Sequence, residues 1–247
     1  MNKIDSSVQL NESILKRRWK KFKTLKRGYY SLIILSCLYG ISFFLPFLIN
    51  NRALVVKYHG EYFFPVLSGY MPGKQFGQDV PGDTRYRELK AQFIEQDEKD
   101  SWVWMPPYPY SPYEDITFEG NKPYEPPSST HWLGTDNTGR DVFARLCYAF
   151  NISISFALLL TIINYIIGVL VGGTMGYYGG KFDLFFQRLI EIWSSLPMLF
   201  VIIILSSILK PSFLLLISIY TLVNWISMTY LMRAEFYREK AKAYVAA

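Results

Sequence analysis

Ionisable side chains inside apolar runs are the first candidates for chemistry, because a charge in hydrocarbon is costly unless it is paired or hydrated. Arg188 and Glu191 stand in such a run, "DLFFQRLIEIWSSLPMLFVIIILSSIL". Three residues apart, they share a helix face and can pair. Two readings are open: a gate beside a path across the membrane, or an interfacial pair that pins a helix end. The second is preferred, because both residues fall within about two turns of the predicted membrane surface. Pro197 removes a backbone donor farther along the same helix and should loosen it there.

Other reactive types are sparse or isolated. The carboxylates of "EQDEKD" lie in a solvated charge run. His59 and His131 stand alone and read as solvated loop residues rather than ligands. Cys37 and Cys147, one inside an apolar run and one beside another, make neither a disulfide framework nor a metal set. The sequence holds no phosphate-cradling glycine loop ending in Lys-Ser or Lys-Thr, no HExxH and no GxSxG. An enzyme working in the polar region is therefore disfavoured, and neither a bound cofactor nor a metal is expected in this chain.

Two further patterns are structural in type. Gly168, Gly172 and Gly176 recur every four residues, with Gly173 and Gly180 beside them. This spacing lines one helix face with small residues and lets a second helix approach closely. Upstream, "HWLGTDNTGRDVFARL" holds Trp132, Gly134, Thr135, Asp136, Gly139, Arg140 and Asp141. Its glycines permit tight turns. Thr138 is placed to cap a short interfacial helix on which Asp141 and Arg145, four apart, could pair. Direct contact with a substrate is the less favoured role for this motif.

These residues need elements to hold them. The 247 residues are 51% hydrophobic and 17% aromatic, yet mean hydropathy is only +0.12. Long uncharged runs alternate with polar stretches, the pattern of a polytopic membrane protein. Spans are predicted at 28–49, 150–175, 183–209 and 211–232, the last two joined tightly through Lys210 and Pro211. Residues 1–27 are basic, and 11–27 can form an amphipathic helix on the inner membrane face or stay a disordered tail. The net charge of +6 concentrates there, which marks a cytoplasmic end rather than a nucleic-acid surface. Residues 50–149 are acidic and rich in Pro and Tyr, and read as a small extracytoplasmic region. Within it "RALVVKYHGEYFFPVL" predicts a hairpin turning at His59-Gly60, and "YRELKAQFIEQDEKDSW" a short helix. Four spans return the tail, 233–247, to the cytoplasmic side, where Arg233, Arg238, Lys240 and Lys242 suit it.

Three strings in order, "WLGTDNTGRDVFARLCYAFNISI", "GYYGGKFDLFFQRLIEIWSSLP" and "RAEFYREKAKAYVAA", resemble the inner-membrane permease subunits of dipeptide/oligopeptide ABC importers. The resemblance covers 131–247 and, less closely, the basic leader with the first span. The insert with "WMPPYPYSPYEDI" looks most like the branch that imports microcin C and related oligopeptides. The resemblance implies an all-α membrane fold of the type I ABC importer. It also implies a second homologous permease, two ATP-binding domains that hold ATP and Mg and are sometimes fused, and a periplasmic peptide-binding protein. Peptide would then cross the bacterial inner membrane by alternating access. It further implies that Arg233, Glu235, Tyr244, Val245, Ala246 and Ala247 begin the EAA loop that couples to the ATPase. In the family Tyr-Val leads into Glu-Ala-Ala and, three residues on, a Gly. Here Ala246 falls at the Glu position and Ala247 at the first Ala, so the family's last two spans are missing from this length. By itself this length is expected to be inactive; the alternative is a non-transporting membrane protein that only binds permease and ATPase partners.

Overall fold

A computed structural model describes residues 13–96, 98, 100–116, 124–210 and 212–242. The chain divides into two compact units, Met1–Asn151 and Ile152–Ala247.

The first unit opens with two helices. In α1, Ile14–Thr24, the Ser13 hydroxyl caps the start by accepting from the Lys16 amide at 3.4 Å. No residue of α1 is buried, and Ile14 and Leu15 lie open. Trp19 and Phe22 meet the ring of Tyr29, and the Lys23 ammonium lies over Trp19 and Tyr29. Helix α2 runs Lys26–Ser42 and stops there for a local reason. Pro46 has no N–H to offer the Ser42 carbonyl, and its ring would collide with it. The predicted span 28–49 is therefore a 17-residue helix followed by a short turn of helix, α3, at Leu45–Leu48.

A three-stranded antiparallel sheet follows, in the order β2-β1-β3, built from β1 Val55–Tyr58, β2 Glu61–Phe63 and β3 Trp102–Trp104. Tyr58 pairs with Glu61, so His59-Gly60 is a two-residue turn. Both turn residues take positive φ, as the twist of a tight hairpin requires. One sheet face presents Val56 and Val103, and helix α5, Tyr86–Glu95, covers it with Tyr86, Leu89 and Phe93. Ala53 and Phe76 complete this core, after the short helix α4 at Pro65–Ser68 and a 3₁₀ turn at Gly73–Phe76. Beyond β3 the Pro/Tyr-rich residues 105–116 form neither helix nor strand, apart from an isolated bridge between Ile49 and Tyr108, and Arg87 fastens them. The guanidinium donates to the Pro109 carbonyl and both Glu114 oxygens and lies 4.6 Å from the Tyr110 ring.

Helix α6 runs unbroken from Val142 to Tyr178 over 37 residues. The separate interfacial helix expected before span two is instead its first turns. Nothing interrupts Val142–Asn151, and Tyr148 and Asn151 tie it to the Ile49 carbonyl and the Ser42 hydroxyl.

In the second unit α6 continues, then α7 Gly180–Ser194, α8 Met198–Ile208 and α9 Phe213–Lys240. Pro197 does more than loosen its helix: α7 and α8 are separate and bent by 68°. Among the described residues two helices, α6 and α9, are long and apolar enough to cross a membrane alone, and the bent pair is a third span if taken together. Packing favours counting it. Phe156 meets Phe213 and Tyr220 at one end, while the Lys240 ammonium donates to the Tyr177 carbonyl at the other, so α6 and α9 run parallel. The chain between them must climb back from the level of Tyr178 to that of Phe156. That is about 33 Å at 1.5 Å per residue, close to the ~30 Å hydrocarbon thickness. The result is a helical, polytopic membrane protein with a small sheet in its polar region. Pro211, half of the predicted α8–α9 link, lies outside the described residues.

Candidate functional site

The glycines of α6 meet α9 directly. A methyl group at Gly172 would stand 2.3 Å from the Thr229 carbonyl oxygen and 3.0 Å from the Arg233 amide nitrogen. At Gly176 it would stand 2.6 Å from Phe236 Cβ, and at Gly168 2.6 Å from Met228 Cγ. The helices therefore touch through backbone, the arrangement small residues four apart allow. Gly173 faces the Phe236 ring in the same seam.

Beside the seam Arg233 turns to α7. Its Nε and Nη2 reach the two oxygens of Asp183 at 2.5 and 2.6 Å, a bidentate pair, and the Tyr237 hydroxyl donates to Asp183 Oδ2 at 2.9 Å. The Asp183 side chain is 9% exposed and that of Arg233 23%. The Trp193 indole, ten residues along α7, donates to the Leu222 carbonyl at 2.8 Å, so α7 and α9 lie antiparallel. One helix, α9, thus joins α6 by close backbone contact and α7 by a charged clasp. Fifty residues separate the clasp partners, and no local spacing links them. The one signal in the sequence was an acid near a predicted span end, which demands a partner somewhere.

The other predicted residues of this unit lie on open surface. Arg188 pairs with Glu191 at 2.6 Å, their side chains 69% and 53% exposed. Glu235 pairs with Arg238 on the last turns of α9. Tyr244, Val245, Ala246 and Ala247 lie outside the described residues.

In the first unit the motif before α6 folds into a compact turn. Asp141, fully buried, caps α6: its Oδ1 accepts from the Ala144 amide at 2.7 Å. Its Oδ2 accepts from the Tyr108 hydroxyl at 2.6 Å and lies 2.8 Å from His131 Nδ1. The cap is therefore Asp141 and not Thr138. Asp141 does not pair with Arg145, which reaches back to Asp136 instead. His131, read as a solvated loop residue, is 4% exposed and packs against the Tyr110 ring. The Pro/Tyr-rich chain folds over the head of α6 and buries it, a long-range event that a lone histidine does not announce. Burial, with the neighbouring Asp141 carboxylate, pushes the Tyr108 hydroxyl well above the usual tyrosine range.

The remaining motif residues hold the turn. Asp136 Oδ1 accepts from the Thr138 hydroxyl and from the Thr138 and Arg140 amides. With the Thr138 hydroxyl bond foremost, its carboxyl is pulled down to about 2. The Thr135 hydroxyl accepts from the Glu125 amide at 2.7 Å, Arg140 pairs with Asp115, and Trp132 packs at a tilt against the rings of Tyr108 and Phe143. Gly139 sits at φ +79°, where a Cβ would meet the Ile116 carbonyl at 2.6 Å; only glycine fits both constraints. Among the described residues no group of His, Cys, Asp and Glu is placed to hold a metal.

Comparison with known proteins bears on these elements. A profile of the family described as "Binding-protein-dependent transport system inner membrane component" matches residues 166–247. The chain is 41% identical over 233 residues to the inner membrane ABC transporter permease protein YejE of Escherichia coli (strain K12), covering 93% of this chain and 67% of that protein. It is 37% identical over 261 residues to the peptidoglycan transport system permease protein YejE of Agrobacterium fabrum, covering 94% and 66%. Similarity to the dipeptide transport system permease protein DppC of Bacillus subtilis is 38% over 122 residues, 49% of this chain and 38% of that one. The chain thus spans about two thirds of the first two proteins and well under half of the third. Alignments to the YejE proteins run through the Pro/Tyr-rich region, whereas that to DppC covers half the chain.

Proposed function

The chain belongs to the family of binding-protein-dependent transport system inner membrane components, and from that premise we propose that it is a permease subunit of an ATP-driven importer of oligopeptides or peptide-like compounds. The observation that carries the reading is the family match across 166–247, which takes in α7–α9 whole and the glycine seam of α6. Similarity to a peptidoglycan and a dipeptide transport permease supports a peptide-like cargo. Similarity to the YejE proteins over more than nine tenths of the chain supports the oligopeptide branch with the insert.

In this proposal the chain pairs with a second, homologous permease. Partner subunits bind and hydrolyse ATP, and a periplasmic binding protein delivers the cargo. The basic leader, Lys16 to Arg27, supports a cytoplasmic N-terminus. The end of α9, from Arg233 and Glu235 onward, leads to the ATPase. A push there reaches the membrane core along two rigid connections: the α6–α9 seam and the Asp183–Arg233 clasp. Closely packed helices move as a body rather than bend, which suits alternation between outward-open and inward-open states.

The test is uptake of a radiolabelled tripeptide by cells with and without the gene. Loss of uptake on deletion, restored by the gene in trans, is expected. Equal uptake by both strains refutes the proposal.

A further inference from the structure

Above the glycine seam α6 and α9 part. Between Phe156 and Asn164 on one side and Tyr220, Asn224, Ser227 and Met228 on the other lies a cleft of about 430 Å³. None of its lining residues carries a charge. Asn164 is 7% exposed, and its Oδ1 is buried with no hydrogen-bond partner among the described residues. Asn224 directs its Nδ2 to the Tyr220 carbonyl at 2.9 Å, which leaves its own oxygen free to accept. Asn164 lies fourteen residues before Tyr178, about 21 Å along α6, and so in the middle third of the ~33 Å that the helix covers between Phe156 and Tyr178. A buried acceptor at that depth has no water to satisfy it and needs a donor from elsewhere.

We propose that this cleft is a subsite on the path of the cargo, where Asn164 accepts a backbone N–H of the passing peptide. This rests on the permease reading above. A peptide amide is the donor that fits: it is uncharged, as the lining is, and every peptide carries it whatever its side chains. The size falls within the range of small-molecule pockets, apolar walls with a few polar groups. A partner helix fits less well. The cleft is closed at one end by Phe156 against Tyr220, ring centroids 5.7 Å apart, and at the other by Gly168 against Met228. The open length is about 18 Å, while a docking helix needs a continuous groove for residues at i, i+3, i+4 and i+7.

The test compares uptake of a labelled tripeptide with its backbone N-methylated counterpart, which lacks amide N–H donors. Cells carry the wild-type permease or Asn164→Leu, in each case with the full set of partner subunits. Membrane abundance and co-purification with the second permease are measured alongside. For the wild type, N-methylation is expected to lower uptake about ten-fold, the size of one lost hydrogen bond. In Asn164→Leu, uptake of the plain peptide falls by a similar factor and the ratio between the two peptides shrinks by that factor, since any selection by the binding protein is the same in both strains. Ser227→Ala, on the facing helix, serves as a milder second variant and should narrow the same ratio. If either variant reaches the membrane and discriminates the peptides as the wild type does, the subsite is wrong. If Asn164→Leu loses the second permease on purification, the cleft is a subunit interface and the proposal is overturned. Failure of the wild type to take up either peptide would overturn the permease reading itself, a separate result.

Discussion

Replacing Gly172 by alanine adds one methyl group to the α6–α9 seam, and the geometry fixes what must follow. The new Cβ would stand 2.3 Å from the Thr229 carbonyl oxygen, 3.0 Å from the Arg233 amide nitrogen and 3.0 Å from Met232 Cβ. None of these atoms is the end of a flexible side chain, so none can swing aside. A carbon–oxygen contact relaxes only near 3.3 Å, so α9 must retreat by about 1 Å. A gap of that size forfeits up to half of each dispersion contact along the seam, and overpacking of this kind costs about 1–3 kcal/mol. Alanine's better helix propensity returns about 1 kcal/mol at most. Gly40 in α2 supplies the control, since a Cβ there meets nothing within 4 Å. Gly40→Ala should therefore be neutral or stabilising, by up to about 1 kcal/mol. The assay is thermal unfolding of the purified protein in detergent. At about 2–4 °C per kcal/mol, Gly172→Ala should melt several degrees below the wild type and Gly40→Ala at or above it. If Gly172→Ala melts with Gly40→Ala, the helices do not meet through backbone and the argument fails.

Three other perturbations follow from the geometry. Asp183→Asn leaves Arg233 without its carboxylate and should cost about 2 kcal/mol, whereas Arg188→Gln, in an open pair, should change melting by no more than about 0.5 kcal/mol; equal effects would contradict the clasp. Asp136 has a folded-state pKa near 2, below its ordinary 3.8, so its contribution is complete above about pH 4 and is lost as pH falls through 2. Melting of wild type minus that of Asp136→Asn should shrink across that window; a constant difference between pH 5 and 2 would count against the turn. Asp141→Ala removes the α6 cap together with the carboxylate that Tyr108 and His131 share, and should cost about 3 kcal/mol. Hydrogen exchange in the first turn of α6 reads it, and unchanged protection there would refute the assignment.

The sequence by itself determined the features whose signals are local. Hydrophobic runs give the apolar helices, because burial in lipid needs only length and composition. The His59-Gly60 hairpin, the short helix before β3 and the four-residue glycine spacing are likewise written in adjacent residues. Pro46 and Pro197 stand where α2 stops and where α7 parts from α8, yet the predicted spans 28–49 and 183–209 run through both prolines, because hydropathy marks an apolar run and not whether the helix within it is continuous. Tertiary structure decided which charges meet. Asp183 and Arg233 are fifty residues apart, and Tyr108, His131 and Asp141 gather only when the Pro/Tyr-rich chain folds over the head of α6. Asp141 and Arg145 have the spacing of a helical pair yet choose other partners, because the helix begins after Asp141 and its carboxylate serves the cap. A periodic pattern names a face; what lies against that face depends on the path of the whole chain.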